Sequence, residues 1–136
     1  MSYHFTVTLT CTFDEAIEKA TAALKAKGLG VLTTINVQNA MKEKLGEDIN
    51  PYMILGACSP SHAFKAIQAE NKIGVMLPCN VVVQQKDDGK IEVSIVDPIA
   101  SMSAIQNEAL GAVALEVQGL LKGVAADLAA DGAAGA

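Results

Sequence analysis

A tight turn between two alternating segments is the feature that most constrains the fold. Residues 86–90, KDDGK, contain the pair Asp88 and Gly89, which favours a hairpin turn. After the turn, apolar side chains occupy every second position, as on the buried face of a strand: Ile91, Val93 and Ile95. Because so short a connection joins antiparallel strands, the sheet is expected to be antiparallel at this point.

In the rest of the chain, segments with apolar residues at strand spacing are interspersed with segments that have them at helical spacing. Alternating or continuous apolar segments predict four further strands: residues 3–9, 29–37, 52–57 and 73–85. Apolar residues at helical spacing predict a first helix from residue 13, a short polar helix within 39–48, a helix at 59–70 and a long helix from about Ser101. The last strand is expected to stop at Asp97.

Residues that favour helix ends mark two of these helices. Thr12 and Glu15 have the spacing of a capping box before the first helix, and Gly28 is suited to its end. Ser59 is the expected cap of the helix at 59–70, with Pro60 at the favoured first position.

Three further expectations concern packing around that helix. Phe64, Ile67 and Ala63 are predicted to face the core. Pro78 lies within the predicted strand 73–85 and has no N–H to donate to a ladder, so a bulge or a sheet edge is expected there.

These elements predict an α+β fold, a two-layer sandwich with a mainly antiparallel five-stranded sheet and helices on one face. A parallel doubly wound sheet is the alternative, because a strand, helix, strand crossover occurs around residues 52–83. The 136 residues are expected to form a single domain, with a frayed tail from about residue 129.

Composition argues against several classes of function. The net charge is −5 and the ten basic residues are scattered, which disfavours a nucleic-acid partner. We expect no apolar stretch long enough to cross a membrane and, since the N-terminus lacks the pattern of a secretory signal, a cytoplasmic location. Three cysteines do not predict a disulfide framework.

Cys58, His62 and Cys79 are the candidate functional residues. Cys58 precedes a helix N-terminus, whose unpaired N–H groups favour a thiolate, and His62 lies about one turn into that helix. Cys79 lies on the next predicted strand. Two sulfurs and one imidazole provide three ligands for zinc, with water or a partner residue as the fourth. The simpler interpretation is that both cysteines are buried as small apolar side chains and His62 lies on the surface.

Three segments together resemble the DUF302 family of small uncharacterised bacterial and archaeal proteins: YMILGACSPSHAFKAI, IGVMLPCNVVVQ and VDP. The most specific similarities lie at 57–60 and 77–83, and the resemblance covers nearly the whole chain. Ser59 stands where the family usually has asparagine. The resemblance implies a compact β-α-β(4)-α domain that tends to form dimers, and it implies no established activity. Another branch of the family lacks the cysteine.

The leading functional hypothesis is a homodimeric binding protein with a cysteine-lined pocket. Cys58 and Cys79 would hold a small ligand or a metal ion, with Asn80 and Asp97 as polar neighbours. The alternatives are a thiol-dependent reductase or hydrolase, with Cys58 as nucleophile and His62 as base, and an inert interaction module.

Self-association is predicted from the C-terminal helix. Its main apolar stripe is expected to cover the sheet, while a second strip is left for a partner: Leu110, Ala114 and Leu121.

Overall fold

The computed structural model describes residues 2–134, which form one five-stranded sheet and five α-helices. The strands are β1 (His4–Leu9), β2 (Gly30–Asn36), β3 (Tyr52–Cys58), β4 (Cys79–Gln85) and β5 (Ile91–Val96). The helices are α1 (Phe13–Ala26), α2 (Val37–Leu45), α3 (Pro60–Ala69), α4 (Pro98–Ser101) and α5 (Glu108–Ala134).

The sheet is antiparallel throughout. Its strand order is β1-β5-β4-β3-β2, and all four neighbouring pairs run in opposite directions. Gly89 takes a positive φ of 86° in the β4–β5 turn, which confirms the predicted hairpin. The α+β class with an antiparallel five-stranded sheet is therefore confirmed, and the parallel alternative is wrong.

One face of the sheet is covered by α1 and α5. Alternate strand residues on that face are completely buried: Leu55, Ala57, Val81, Val83, Ile91, Val93 and Ile95. Leu24 of α1 and Leu121 of α5 pack into the same core. The opposite face is open, and most of the side chains that line its depression carry a polar group.

The predicted start of α1 is confirmed in detail. The Thr12 hydroxyl accepts from the Glu15 backbone N–H at 3.1 Å, and the Glu15 carboxylate accepts from the Thr12 N–H at 3.1 Å. Beyond the end of the helix, Gly28 has a φ of 79°, a conformation that glycine adopts at little cost.

The fourth strand is shorter than predicted. Ile73–Met76 forms a 3-10 helix, the Leu77–Pro78 peptide is cis, and β4 begins only at Cys79. Pro78 therefore precedes a central strand, and the predicted bulge or edge at Pro78 is wrong. The irregularity in the ladder lies instead in β2, between Val31 and Thr33.

The predicted inward face of α3 is also wrong. Phe64 and Ile67 are exposed, Ala63 is half-buried, and the buried residue of this helix is Ala66. The small Ala66 side chain lets α3 approach Ile73 and Leu110, with which it forms a second apolar cluster.

The C-terminal helix starts later than predicted, and its buried face also includes the predicted second strip. The segment from Ser101 is divided into the end of α4, a connection and α5 from Glu108. Leu110, Ala114 and Leu121 are all buried within the chain, so the strip offers no surface to a partner. Self-association therefore stays a prediction, but this strip no longer supports it.

The end of α5 is helical as far as residue 134, and residues 135–136 of the predicted frayed tail lie outside the described residues. Leu128 is buried, and the Asp131 carboxylate lies 3.4 Å from the Lys19 amino group of α1. These contacts connect the last turns to the rest of the fold.

The expectation that no apolar stretch is long enough to cross a membrane needs correction. By length and composition alone, Glu108–Asp131 of α5 meets that criterion. In the fold this helix packs against α1, α3 and β1, and 28% of its most apolar part is buried. The absence of a membrane partner and the cytoplasmic location stay predictions.

Candidate functional site

An apolar cavity lies where β3 ends and β4 begins, under α3 and α5. Its volume is about 40 Å³. Most of its lining is aliphatic, and its polar side chains come from the β3–α3 junction: Ser59 and His62. The antiparallel register pairs Ala57 with Cys79, so the last residue of β3 and the first residue of β4 meet at one end of the sheet.

Both predicted cysteines line this cavity. Cys58 is the last residue of β3 and is half-buried, whereas Cys79 is the first residue of β4 and is only 9% exposed. The structure therefore brings Cys58 and Cys79 to the same cavity, as the sequence suggested for residues at the ends of neighbouring strands.

The thiols of this cavity are protonated at neutral pH. Burial, and to a lesser extent the charge of ionised Cys58, raise the pKa of Cys79 from 9.0 to about 11. Burial also raises the pKa of Cys58. This direction is opposite to the one expected from the helix N-terminus, and desolvation is its cause.

The predicted zinc ligands are not assembled. Within residues 2–134, no group of three or more His, Cys, Asp and Glu side chains is placed to hold a metal ion. His62 is turned toward other partners, which leaves Cys58 and Cys79 without a third ligand among the described residues.

His62 lies between a hydroxyl and a carboxylate. Its Nδ1 is 2.7 Å from the Ser59 hydroxyl oxygen, and its Nε2 is 3.2 Å from Oε2 of Glu116 on α5. The His62 side chain is 20% exposed, whereas that of Glu116 is 58% exposed. Both ring nitrogens therefore have partners other than Cys58, so the predicted pair of Cys58 nucleophile and His62 base is not formed.

Ser59 has the predicted position at the start of α3 but makes a different contact. It is the N-cap residue, followed by Pro60, yet its side chain makes no capping hydrogen bond. The hydroxyl is directed to His62 instead. Ser59 and Glu116 are the two residues at this site that sequence reasoning did not assign to it.

The predicted polar neighbours lie outside this cavity. Asn80 is exposed and borders the open face of the sheet. Asp97 caps α4 by accepting from the Ile99 N–H at 3.0 Å, and its Oδ1 also accepts from the Gln118 side-chain amide at 3.1 Å. Asp97 therefore fixes α4 and α5 in place beside the cavity rather than lining it.

Comparison with known proteins places this fold in a family. The family model described as "Domain of unknown function DUF302" matches residues 5–128. A solved structure, the uncharacterised conserved protein DUF302 from Bacillus stearothermophilus, is 30% identical, with a TM-score of 0.82. The alignment covers 94% of this chain and 97% of that chain. Among curated proteins, no significant match was found. The chain therefore belongs to the DUF302 family.

Proposed function

We propose that the cavity binds the apolar end of a small ligand, with Cys58 and Cys79 as neutral thiol contacts. The observation that carries this proposal is the convergence of both cysteines on one aliphatic cavity at the end of the sheet. Protonated thiols behave as small, polarisable apolar groups, so they suit an apolar ligand better than an anion.

The size of the cavity limits what can enter it. A volume of about 40 Å³ is much smaller than the several hundred Å³ typical of sites that enclose a whole cofactor. We therefore propose a ligand that inserts a short alkyl or acyl group, while the rest of the molecule stays near Ser59 and His62 at the polar side of the cavity.

The protonation of the thiols favours binding over thiol chemistry. A cysteine nucleophile acts as a thiolate, but burial raises the pKa of both cavity cysteines above its usual value. The general base that Cys58 would need is bonded to Ser59 and Glu116 instead.

The test is a titration with butan-1-ol, followed by amide chemical shifts in two-dimensional NMR spectra. We expect the shifts to change first at residues around the cavity. Ala114→Leu adds volume at a buried residue of the lining and should weaken binding by about tenfold or more, equivalent to about 1.4 kcal/mol.

Ala112→Leu is the matched control, because Ala112 is exposed on the same helix. Equal binding by both variants, or shift changes that are centred on the open face of the sheet, would rule out this cavity as the binding site.

A further inference from the structure

We propose that Ser59, His62 and Glu116 form a nucleophile, a general base and a positioning carboxylate that hydrolyse small carboxylic esters. The three groups are consecutive partners, with the imidazole 2.7 Å from the hydroxyl and 3.2 Å from the carboxylate. A hydroxyl, an imidazole and a carboxylate in this order are the elements of serine-hydrolase chemistry, which occurs in unrelated folds.

The contacts of His62 determine which ring nitrogen carries the proton. A carboxylate only accepts, so Nε2 carries the hydrogen that faces Glu116. Nδ1 of the neutral ring is then an acceptor and receives the hydrogen bond of the Ser59 hydroxyl. This tautomer is the one that a general base needs for taking a proton from Ser59.

The backbone around Ser59 supplies donors for a developing negative charge. Ala63 N–H bonds to the Ser59 carbonyl, and Pro60 has no N–H, so the unpaired donors of the first turn are those of Ser61 and His62. The Ser59 hydroxyl does not occupy them. They are therefore free to bind the oxyanion of a tetrahedral intermediate on Ser59, a contribution that is often large in acyl transfer.

The reaction has two balanced steps. The Ser59 oxygen bonds to the ester carbonyl carbon, its proton passes to Nδ1 of His62, and the alcohol leaves with that proton as the carbon–oxygen bond breaks. Water then attacks the acyl group on Ser59 and gives a proton to His62. The serine–acyl bond breaks, the carboxylic acid departs, and Ser59 recovers its proton, so the sum is ester plus water to acid plus alcohol.

The cavity defines the substrate class. Ser59 and His62 line the same cavity as the aliphatic side chains, so an acyl group inserted there has its carbonyl near the hydroxyl. The choice of substrate class rests on the proposed function. The ligand of the cavity is then an ester with a short acyl chain.

A second histidine provides a matched comparison inside the chain. On β1, the Thr6 hydroxyl lies 2.7 Å from Nδ1 of His4, the same distance as in the Ser59–His62 pair. In the described part of the chain, no carboxylate forms an ion pair with His4. Replacement of His4 therefore reports how much ester hydrolysis comes from an imidazole that bonds to a hydroxyl but not to a carboxylate.

The experiment measures hydrolysis of p-nitrophenyl butyrate by the full chain and its variants. We expect His62→Gln to lower kcat by about 100-fold or more, in the range of general acid–base catalysis, and His4→Gln to leave it unchanged. Ser59→Asn should reduce hydrolysis to background while the chain stays folded, since asparagine is also a favoured N-cap residue.

Glu116 acts only through His62, so its role is tested by two measurements, the kinetics and the tautomer of the His62 ring. Glu116→Ala should lower kcat with little change in KM. In the ¹⁵N spectrum of the imidazole, the same change should convert the single Nε2–H tautomer of His62 into a mixture. An unchanged kcat in this variant would remove Glu116 from the mechanism.

Mass spectrometry of acid-quenched protein identifies the acylated residue. We expect the butyryl group on Ser59. Acylation of Cys58 alone, or equal rates for the His62→Gln and His4→Gln variants, would overturn the proposal. If butan-1-ol binds in the cavity but no ester is hydrolysed, only this inference fails. If Ser59 is acylated but butan-1-ol does not bind in the cavity, the proposed function and the substrate class drawn from it fail, while the roles of Ser59 and His62 stand.

Discussion

The two faces of the sheet are built from the same strands but present different chemistry. On the face covered by α1 and α5, the completely buried residues of β4 and β5 are aliphatic: Val81, Val83, Ile91, Val93 and Ile95. On the open face, a broad depression of about 620 Å³ is lined by tyrosine, threonine, asparagine, glutamine and glutamate side chains. The depression on the open face is larger, whereas the smaller apolar cavity lies at the covered side.

The two histidines show what this difference means for a site. His4 and His62 each lie 2.7 Å from a hydroxyl. In the described part of the chain, only His62 also forms an ion pair with a carboxylate, because α5 brings Glu116 across α3. The packing of α5 against α3 thus adds the Glu116 carboxylate to a contact between a hydroxyl and an imidazole that both histidines make.

The largest expected difference between the faces is in stability. Leu55 and Ile54 are neighbours on β3, but Leu55 is completely buried while Ile54 is only half-buried on the open face. Leu55→Ala should lower the free energy of unfolding by about 2–5 kcal/mol, because it leaves a cavity in the core. Ile54→Ala should cost about 1 kcal/mol.

Denaturant unfolding at pH 7 measures both values. Similar losses for the two variants would mean that the open face is buried in solution by something outside this chain.

The next prediction concerns the buried thiol of the covered face. Because burial raises the pKa of Cys79 from 9.0 to about 11, the unfolded chain loses this proton first as the pH rises. The contribution of the protonated Cys79 thiol to the free energy of unfolding is fully present below pH 9 and is lost between about pH 9 and 11. It amounts to about 2–3 kcal/mol by the linkage between a pKa shift and folding.

Cys79→Val isolates this effect, because valine does not titrate. Unfolding curves between pH 8 and 11 should show a smaller alkaline loss of stability in the variant, by the amount stated. Parallel pH profiles for the two proteins would show that the Cys79 thiol does not titrate differently in the folded chain.

The smallest expected effect tests whether the open face is loosely packed everywhere. At Gly56 of β3, an added Cβ would lie 2.7 Å from the Pro78 ring and closer still to the Thr33 hydroxyl. Gly56→Ala should therefore destabilise the protein by about 1–3 kcal/mol, as overpacking does. Beside Pro78 of the cavity lining, this face leaves no room for an added methyl group at Gly56.

Gly30 of β2 is the control, since an added Cβ there has no atom within 4 Å. We expect Gly30→Ala to be near neutral or slightly stabilising in thermal unfolding. A Gly56→Ala protein that melts at the same temperature as Gly30→Ala would mean that Pro78 and Thr33 move away at no cost.

The fold was predictable because its signals are local. Alternation, the Asp88–Gly89 turn and the Thr12–Glu15 capping box each lie within a few residues, and each is confirmed. The wrong predictions concern segments whose local sequence is compatible with more than one secondary structure. Ile73–Met76 is apolar enough for a strand but forms a 3-10 helix before Pro78.

The site was predictable only in part, for a related reason. Strand ends and order place Cys58 and Cys79 together, which follows from the connectivity. The His62 contacts depend on α3 crossing α5, and the sequence separates His62 from Glu116 by more than fifty residues. The signal available in the sequence is Ser59 three positions before His62, but a serine at the start of a helix is equally typical of a cap.

The position of β1 at the edge of the sheet has a consequence for synthesis of the chain. Its partner is β5, with His4 opposite Val96, whereas β2, β3, β4 and β5 each pair with a strand next to them in sequence. On the ribosome, the first strand to emerge therefore has no partner until the fifth has followed it. During that interval the consecutive hairpins can form first, since loop closure costs them less entropy. Addition of β1 can then complete the sheet, after the strands that follow it in the chain have paired.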